Sequence, residues 1–274
     1  MRKFGLIGFP LSHSFSKKYF TEKFEKEGIQ GAQYELYPLE SIDALPGLLK
    51  EQPELVGLNV TIPYKQVVIP FLDELDEKAA AIGAVNTILI RNGKLKGYNT
   101  DYHGFKDSLL KWLGANPMPE NALVLGTGGA SKAVEATLKD LNISYQMVSR
   151  NPKEGQLSYT DLNTSTLVHR SSSKGAPQHL STEASAKEGT STRLHLRTST
   201  LVVNTTPLGM SPHTEAKPEL PYEQLTEGHF LYDLVYNPLV TAFMQEGINR
   251  KCWVKNGLEM LHGQAEKAWE IWNS

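Results

Sequence analysis

The 274-residue sequence has a single cysteine, Cys252, so no disulfide can close within the chain and no cysteine-based metal cluster can form. That usage suits a reducing compartment, and the cytoplasm is the expected location. No stretch approaches the roughly 20 apolar residues of a membrane span, and the run from Lys3 to Gly8 is too short for the core of an export signal. Neither sign of charge dominates. The 28 Lys and Arg against 30 Asp and Glu leave a formal net charge of −2, which supplies no field for nucleic acid or an anionic membrane surface. The 8 histidines lack ligand-like pairing with each other or with acids, so no metal is expected. A small neutral or anionic molecule is the expected partner, and the chain is expected to be a monomer or homodimer.

What is present is 40% hydrophobic content, enough for real cores, in a length that favours two domains. Short apolar runs alternate with amphipathic stretches, which predicts an α/β protein with helices covering largely parallel sheets. Strands are expected at Lys3 to Gly8, Gln33 to Leu39, Leu55 to Val60, Ala84 to Ile90 and Lys94 to Tyr98. The last two flank Asn92-Gly93, a dipeptide suited to a two-residue hairpin turn. Helices are expected from Phe15, near Ser41 and near Pro63.

A helix from Asp101 to Leu113 leads into a second α/β unit, with strands at Ala122 to Leu125 and Ile143 to Val148 around a helix at Ala130 to Leu141. Later strands are expected at Leu201 to Asn204, Phe230 to Leu234 and Lys251 to Lys255, and the last helix, Leu258 to Trp272, can pack back on the first unit. The organisation is therefore an open α/β domain at 1–101, joined by 258–274, and a Rossmann-type domain at 102–257. From Asn163 to Thr200 the pattern lapses: 15 of 38 residues are Ser or Thr, five are basic and two acidic. Such a composition cannot bury enough surface to fold alone, so 163–200 is expected to be a mobile insertion. A basic lid acting through Arg193 and Arg197 is the alternative.

The expected strand at Ala122 to Leu125 runs at once into Gly126-Thr127-Gly128-Gly129-Ala130-Ser131 and a helix, the context a dinucleotide-binding turn requires. Gly126 permits the tight turn, Gly128 lets the backbone approach a pyrophosphate, and the free N–H groups of the helix attract its charge. An ordinary strand-to-helix connection is the competing reading. The next strand ends Val148-Ser149-Arg150-Asn151 with no carboxylate for a free ribose 2′-hydroxyl. That suits NADP, with Arg150 on the 2′-phosphate and Asn151 and Lys153 in support.

Polar clusters also stand at the expected strand ends of the first unit. Ser14 and Ser16 offer two hydroxyls before a helix, able to hold a carboxylate or simply to cap. Thr61 and Lys65, Asn86, and Asn99 with Asp101 follow. Singly, Lys65 reads as a solvated helix residue, Asp101 as an N-cap and Asn86 as a turn residue.

Together, the ordered series GFPLSHSFS, NVTIPYK, GAVNT, GYNTD, GTGGAS, NTTPLGM, DLVYNP and NGLEMLHGQA resembles the shikimate dehydrogenase family from end to end, the Ser/Thr-rich stretch apart. The resemblance implies reversible reduction of 3-dehydroshikimate to shikimate by NADPH, on the chorismate route to aromatic amino acids. It implies that Ser14 and Ser16 hold the substrate carboxylate, that Thr61, Asn86, Asp101, Tyr236 and Gln264 make further substrate contacts, and that Lys65 is the catalytic lysine. Cofactor contacts fall on Gly126, Thr127, Gly128, Gly129 and Ala130, on Ser149, Arg150, Asn151 and Lys153, on Leu234 and Gly257, and on Glu77. Lys17 stands where the family commonly has proline, and Ser149 where it usually has asparagine; His13 is read as structural. Two rival readings follow: an enzyme that also uses quinate, and a nucleotide-sensing regulator that has lost the reaction. Serine at 14 speaks against the first, and the intact pair Lys65 and Asp101 against the second. In the implied mechanism Lys65 donates a proton during reduction and accepts one in reverse, helped by desolvation in a cleft, while Asp101 orients it and binds a substrate hydroxyl.

Overall fold

In the computed structural model, which describes residues 1–11, 15–114, 116, 118–163 and 200–274, strand β1 (Arg2–Gly8) is buried from Phe4 to Ile7. Burial on both faces is what a central parallel strand covered by helices requires. It lies between β2 (Ala32–Pro38) and β3 (Leu55–Val60), parallel to both. The crossover helix α1 (Phe15–Lys26) buries Phe20 and Phe24, one turn apart on a single face. Ser41 accepts a hydrogen bond from the Asp43 amide and caps a short turn ahead of α2 (Leu45–Glu51).

Beyond β3 the sheet turns antiparallel. A two-residue strand β4 (Glu74–Leu75) and the short helix α3 (Glu77–Ile82) precede the hairpin of β5 (Thr87–Arg91) and β6 (Lys94–Tyr98). Asn92 and Gly93 in its turn have φ of 52° and 73°, as a two-residue turn of that twist demands. The strand order is β2-β1-β3-β5-β6-β4.

Helix α4 (Thr100–Leu113) connects to the second sheet. Its elements are β7 (Asn121–Leu125), α5 (Gly129–Asp140), β8 (Ser144–Ser149), β9 (Leu157–Ser158), α6 (Tyr159–Asn163), β10 (Thr200–Asn204), β11 (Phe230–Asp233), α7 (Ala242–Asn249) and β12 (Trp253–Lys255). All neighbours pair parallel in the order β12-β11-β10-β7-β8-β9. The chain moves outward from β7 through β9 and resumes at β10 on the other side of β7, which opens a crevice at their carboxyl ends, where ligands bind in such sheets.

The last helix, α8 (Leu258–Asn273), returns to the first sheet. Its Ala265, Ala268, Ile271 and Trp272 share a core with Phe4, Phe20, Tyr34 and Leu89. The Trp272 indole donates to the Ile88 carbonyl at 3.0 Å and lies flat over Gly57, where a Cβ would meet the ring at 2.3 Å. Helices α4 and α8 cross with almost no side chain between them: a Cβ on Gly263 would lie 3.3 Å from the Gly104 Cα.

Three local expectations change. The segment after Pro63 is a series of turns ending in a 3-10 turn at Ile69–Phe71, because Pro70 has no amide to donate back to Gln66 and a continuing α-helix would lose that bond. Helices α3 and α7 were not expected; they run for only 6 and 8 residues, too few for a periodic apolar signal. Expectations for 164–199, including the mobile insertion and the lid through Arg193 and Arg197, lie outside the described residues, as do Ser14 and His13. The strand that follows, β10, is fully paired between β7 and β11. No helix among the described residues is long and apolar enough to cross a membrane.

Candidate active site

The turn after β7 is shaped by its glycines. Gly126 sits at φ +103°, a conformation that L side chains rarely adopt, and a Cβ there would lie 2.9 Å from the Thr205 hydroxyl. Its amide is tied to Val148 at the end of β8, while Thr205 donates to the Leu125 carbonyl at 2.7 Å. Gly128 is the N-cap of α5 with no side-chain cap, and nothing lies within 4 Å of where its Cβ would be. The Ser131 amide turns back to the Gly128 carbonyl at 3.2 Å, and those of Gly129 and Ala130 face the positive end of a 12-residue helix, suited to a ligand. Ser131, in place of a third glycine, is fully buried and its hydroxyl donates to the Gly128 carbonyl at 2.8 Å.

Directly across this turn lies Lys65. A Cβ on Gly129 would be 3.3 Å from the Lys65 Cβ and 3.4 Å from its Cδ, so the lysine stem passes over the glycine. The Lys65 amine donates to Asp101 Oδ2 at 2.6 Å, with side-chain exposures of 15% and 9%. Asp101 stands in the first turn of α4, yet the cap is Asn99, whose Oδ1 accepts from the Tyr102 amide at 3.1 Å. The expected capping duty is thereby taken by another residue, leaving the Asp101 carboxylate to the lysine.

Beside this pair is a buried polar network. Asn86 Oδ1 accepts from the Thr100 amide at 2.6 Å, and Asn86 Nδ2 donates to the Thr100 hydroxyl at 2.9 Å and to Gln264 Oε1 at 3.4 Å. Gln264 enters from α8, so the returning helix supplies one wall. Thr61 follows β3, its amide bonded to Ile7 and its methyl against Gly8. Ser16 lies in the first turn of α1. Next to it, Phe15 packs edge-on against Tyr236 at 5.8 Å and His262 at 5.2 Å, which joins α1 and α8 to the segment after β11. Burial pushes the Tyr236 phenol above its ordinary range.

On the other side, Ser149, Arg150, Asn151 and Lys153 follow β8, adjacent to Gly126. Ser149 is buried and accepts from the Asn151 amide at 3.2 Å; Arg150, Asn151 and Lys153 are exposed. Leu234 and Gly257 meet where β11 and β12 end, so closely that a Cβ on Gly257 would fall 2.1 Å from the Leu234 carbonyl. Glu77 opens α3. Its neighbour Lys78 pairs at 2.7 Å with Asp140, at the far end of α5. That end is roughly 16 Å from Gly129 along the helix.

Sequence reasoning missed Asp233, which pins the segment leading to Tyr236. The carboxylate is fully buried and accepts from the Thr241 hydroxyl at 2.5 Å, the Val235 amide at 3.0 Å and Asn204 Nδ2 at 3.0 Å. Burial nevertheless pushes it up to about 6, against the pull of these donors. An unfolded aspartate titrates near 4, so between about pH 4 and 6 the folded chain binds the extra proton. The stability contributed by Asp233 is then fullest below about pH 4 and is lost as pH rises through about 6. The urea midpoint of the wild type relative to Asp233→Asn, which can satisfy the same three partners, should fall across this range, because the comparison cancels the opposite contribution of the depressed carboxylates such as Glu35, Glu246 and Glu259; a difference independent of pH would refute the assignment.

A Rossmann-type sheet whose glycine turn faces a lysine–carboxylate pair defines the class: a two-domain α/β protein of dehydrogenase architecture. Residues 6–88 match the family described as shikimate dehydrogenase substrate binding domain. The NADP-dependent shikimate dehydrogenase of Desulforamulus reducens is 37% identical over 98% of this chain and 88% of its own length. That of Clostridium beijerinckii is 38% identical over 99% and 92%. The crystal structure of shikimate 5-dehydrogenase from Thermus thermophilus, in complex with NADP(H) and shikimate, superposes with a TM-score of 0.74 at 30% identity, covering 99% of this chain and 93% of that one. The chain belongs to the shikimate dehydrogenase family.

Proposed function

We propose that the protein is an active NADP-dependent shikimate dehydrogenase, reducing 3-dehydroshikimate reversibly to shikimate in the cytoplasm. The observation that carries this reading is the passage of Lys65 over Gly129 with its amine on Asp101. It brings a proton carrier to the turn fitted to hold a dinucleotide. The substrate domain comprises 1–101 with 258–274, and the nucleotide domain 102–257.

The uncapped N-terminus of α5 and the open space at Gly128 fit a pyrophosphate, and Arg150, Asn151 and Lys153 fit an adenosine 2′-phosphate. When bound, NADPH supplies the hydride. The protein supplies orientation, charge stabilisation and the proton. Lys65 donates to the developing alkoxide, and Asp101 holds the amine in line and binds a ring hydroxyl. Ser14, Ser16 and Tyr236 hold the ring carboxylate; Thr61, Asn86 and Gln264 hold its hydroxyls. Leu234 and Gly257, in close backbone contact, complete the cofactor site.

The test is the absorbance change on incubation with shikimate and either NADP or NAD. Reduction of NADP in clear preference to NAD is expected, with quinate a poor substitute; no nicotinamide reduction with shikimate would overturn the proposal. In the same assay Arg150→Ala should raise the NADP KM by about tenfold, the worth of one charge-assisted hydrogen bond. An unaltered NADP KM would remove Arg150 from the cofactor site.

A further inference from the structure

Tyr34 is 2% exposed and lies on β2, the edge strand of its sheet beside β1. Its ring is stacked on Phe20 at 4.7 Å and 14° and flanked by Trp272, so the direction of its hydroxyl is set by packing. The phenol donates to Asn59 Oδ1 at 2.7 Å. Asn59, 5% exposed at the end of β3, then has its amide nitrogen turned the other way, to the Thr87 hydroxyl at 3.2 Å and the Asn86 carbonyl at 3.4 Å. Thr87 in turn donates to Asn86 Oδ1 at 3.3 Å and lies 3.3 Å from the Thr100 hydroxyl. From Asn86 the chain of bonds continues to Gln264.

The donors and acceptors of this chain leave little freedom. The Thr100 backbone N–H can only donate, so it fixes Asn86 with Oδ1 toward it. A flipped Asn59 would set its Oδ1 against the Asn86 carbonyl, two acceptors face to face. The phenol is the group that completes the correct orientation, because it gives the buried Asn59 Oδ1 its donor. Through Asn59 this one buried hydroxyl reaches the residues proposed for the substrate's ring hydroxyls.

We infer that Tyr34, acting through Asn59 and Thr87, is a positioning residue for shikimate, holding Asn86 in its binding orientation without touching the ligand. This rests on the proposed function and adds residues to that same site. Loss of the phenol leaves a buried acceptor without its donor and frees the Asn59 amide to rock. The disturbance reaches substrate groups and stops short of Lys65 and the glycine turn.

The experiment compares Tyr34→Phe and Thr87→Val with the wild-type enzyme in steady-state kinetics, with Tm recorded for each. Both variants conserve shape and remove one hydroxyl. The shikimate KM should rise about tenfold in each, the equivalent of one net hydrogen bond, with kcat and the NADP KM close to wild type. Wild-type KM for shikimate in both variants, with only Tm lowered, would make the network structural and overturn the inference. An inactive wild-type enzyme would instead count against the proposed function. Equal falls in kcat and kcat/KM would place the effect on the reacting centre and also overturn it.

Discussion

Replacing Lys65 with alanine is expected to lower turnover with shikimate by about 100-fold or more, the usual worth of a positioned general acid–base, while NADP affinity stays close to wild type. The two effects separate because the amine faces Asp101 while only the aliphatic stem touches Gly129. Lys65→Met tests this directly. It keeps a stem over the glycine, and its turnover should be as low as that of the alanine variant. NADP titration by fluorescence supplies the binding arm, and normal turnover in either variant would remove the lysine from the mechanism. Removing the amine also leaves Asp101 largely buried without its cation, so some loss of Tm accompanies the kinetic change.

The second large effect is structural and arises at the crossing of α4 and α8. A Cβ on Gly104 would stand 2.4 Å from the Met260 carbonyl and 2.9 Å from the Gln264 amide. Both are backbone atoms that cannot swing aside, so Gly104→Ala must push the helices apart. The expected cost is about 3 kcal/mol, which for a chain of this size lowers Tm by roughly 5–10 °C. Because Gln264 moves with α8, the shikimate KM should rise in the same variant. A thermal melt within a degree of wild type would show that the crossing has more slack than the backbone distances allow.

The sequence made the second sheet legible because its signals are local. An apolar strand, a glycine turn and a helix follow one another within the 20 residues from Asn121 to Asp140, and the fixed handedness of parallel connections does the rest. Lys65, Asp101 and Asn86 could be selected only through the order of motifs, since each alone has an ordinary structural reading. Their convergence depends on contacts between residues 36 and 178 positions apart, as in Lys65 to Asp101 and Asn86 to Gln264, which no periodicity encodes. Tyr34 and Asp233 escaped for a related reason. A buried tyrosine in a strand and an aspartate at a strand end look like core and turn until their partners are known. The turns after Pro63 were misread because a proline early in a run can start a helix, while the second proline, Pro70, was given no weight.

The packing of α8 has a consequence for synthesis. The aromatic face built by Phe4, Phe20 and Tyr34 is made before the nucleotide-binding half, yet its cover of Ala265, Ala268 and Trp272 is made after it. While the ribosome is still translating the nucleotide-binding half, that apolar surface lacks its native cover, a transient exposure of the kind that invites aggregation until α8 emerges.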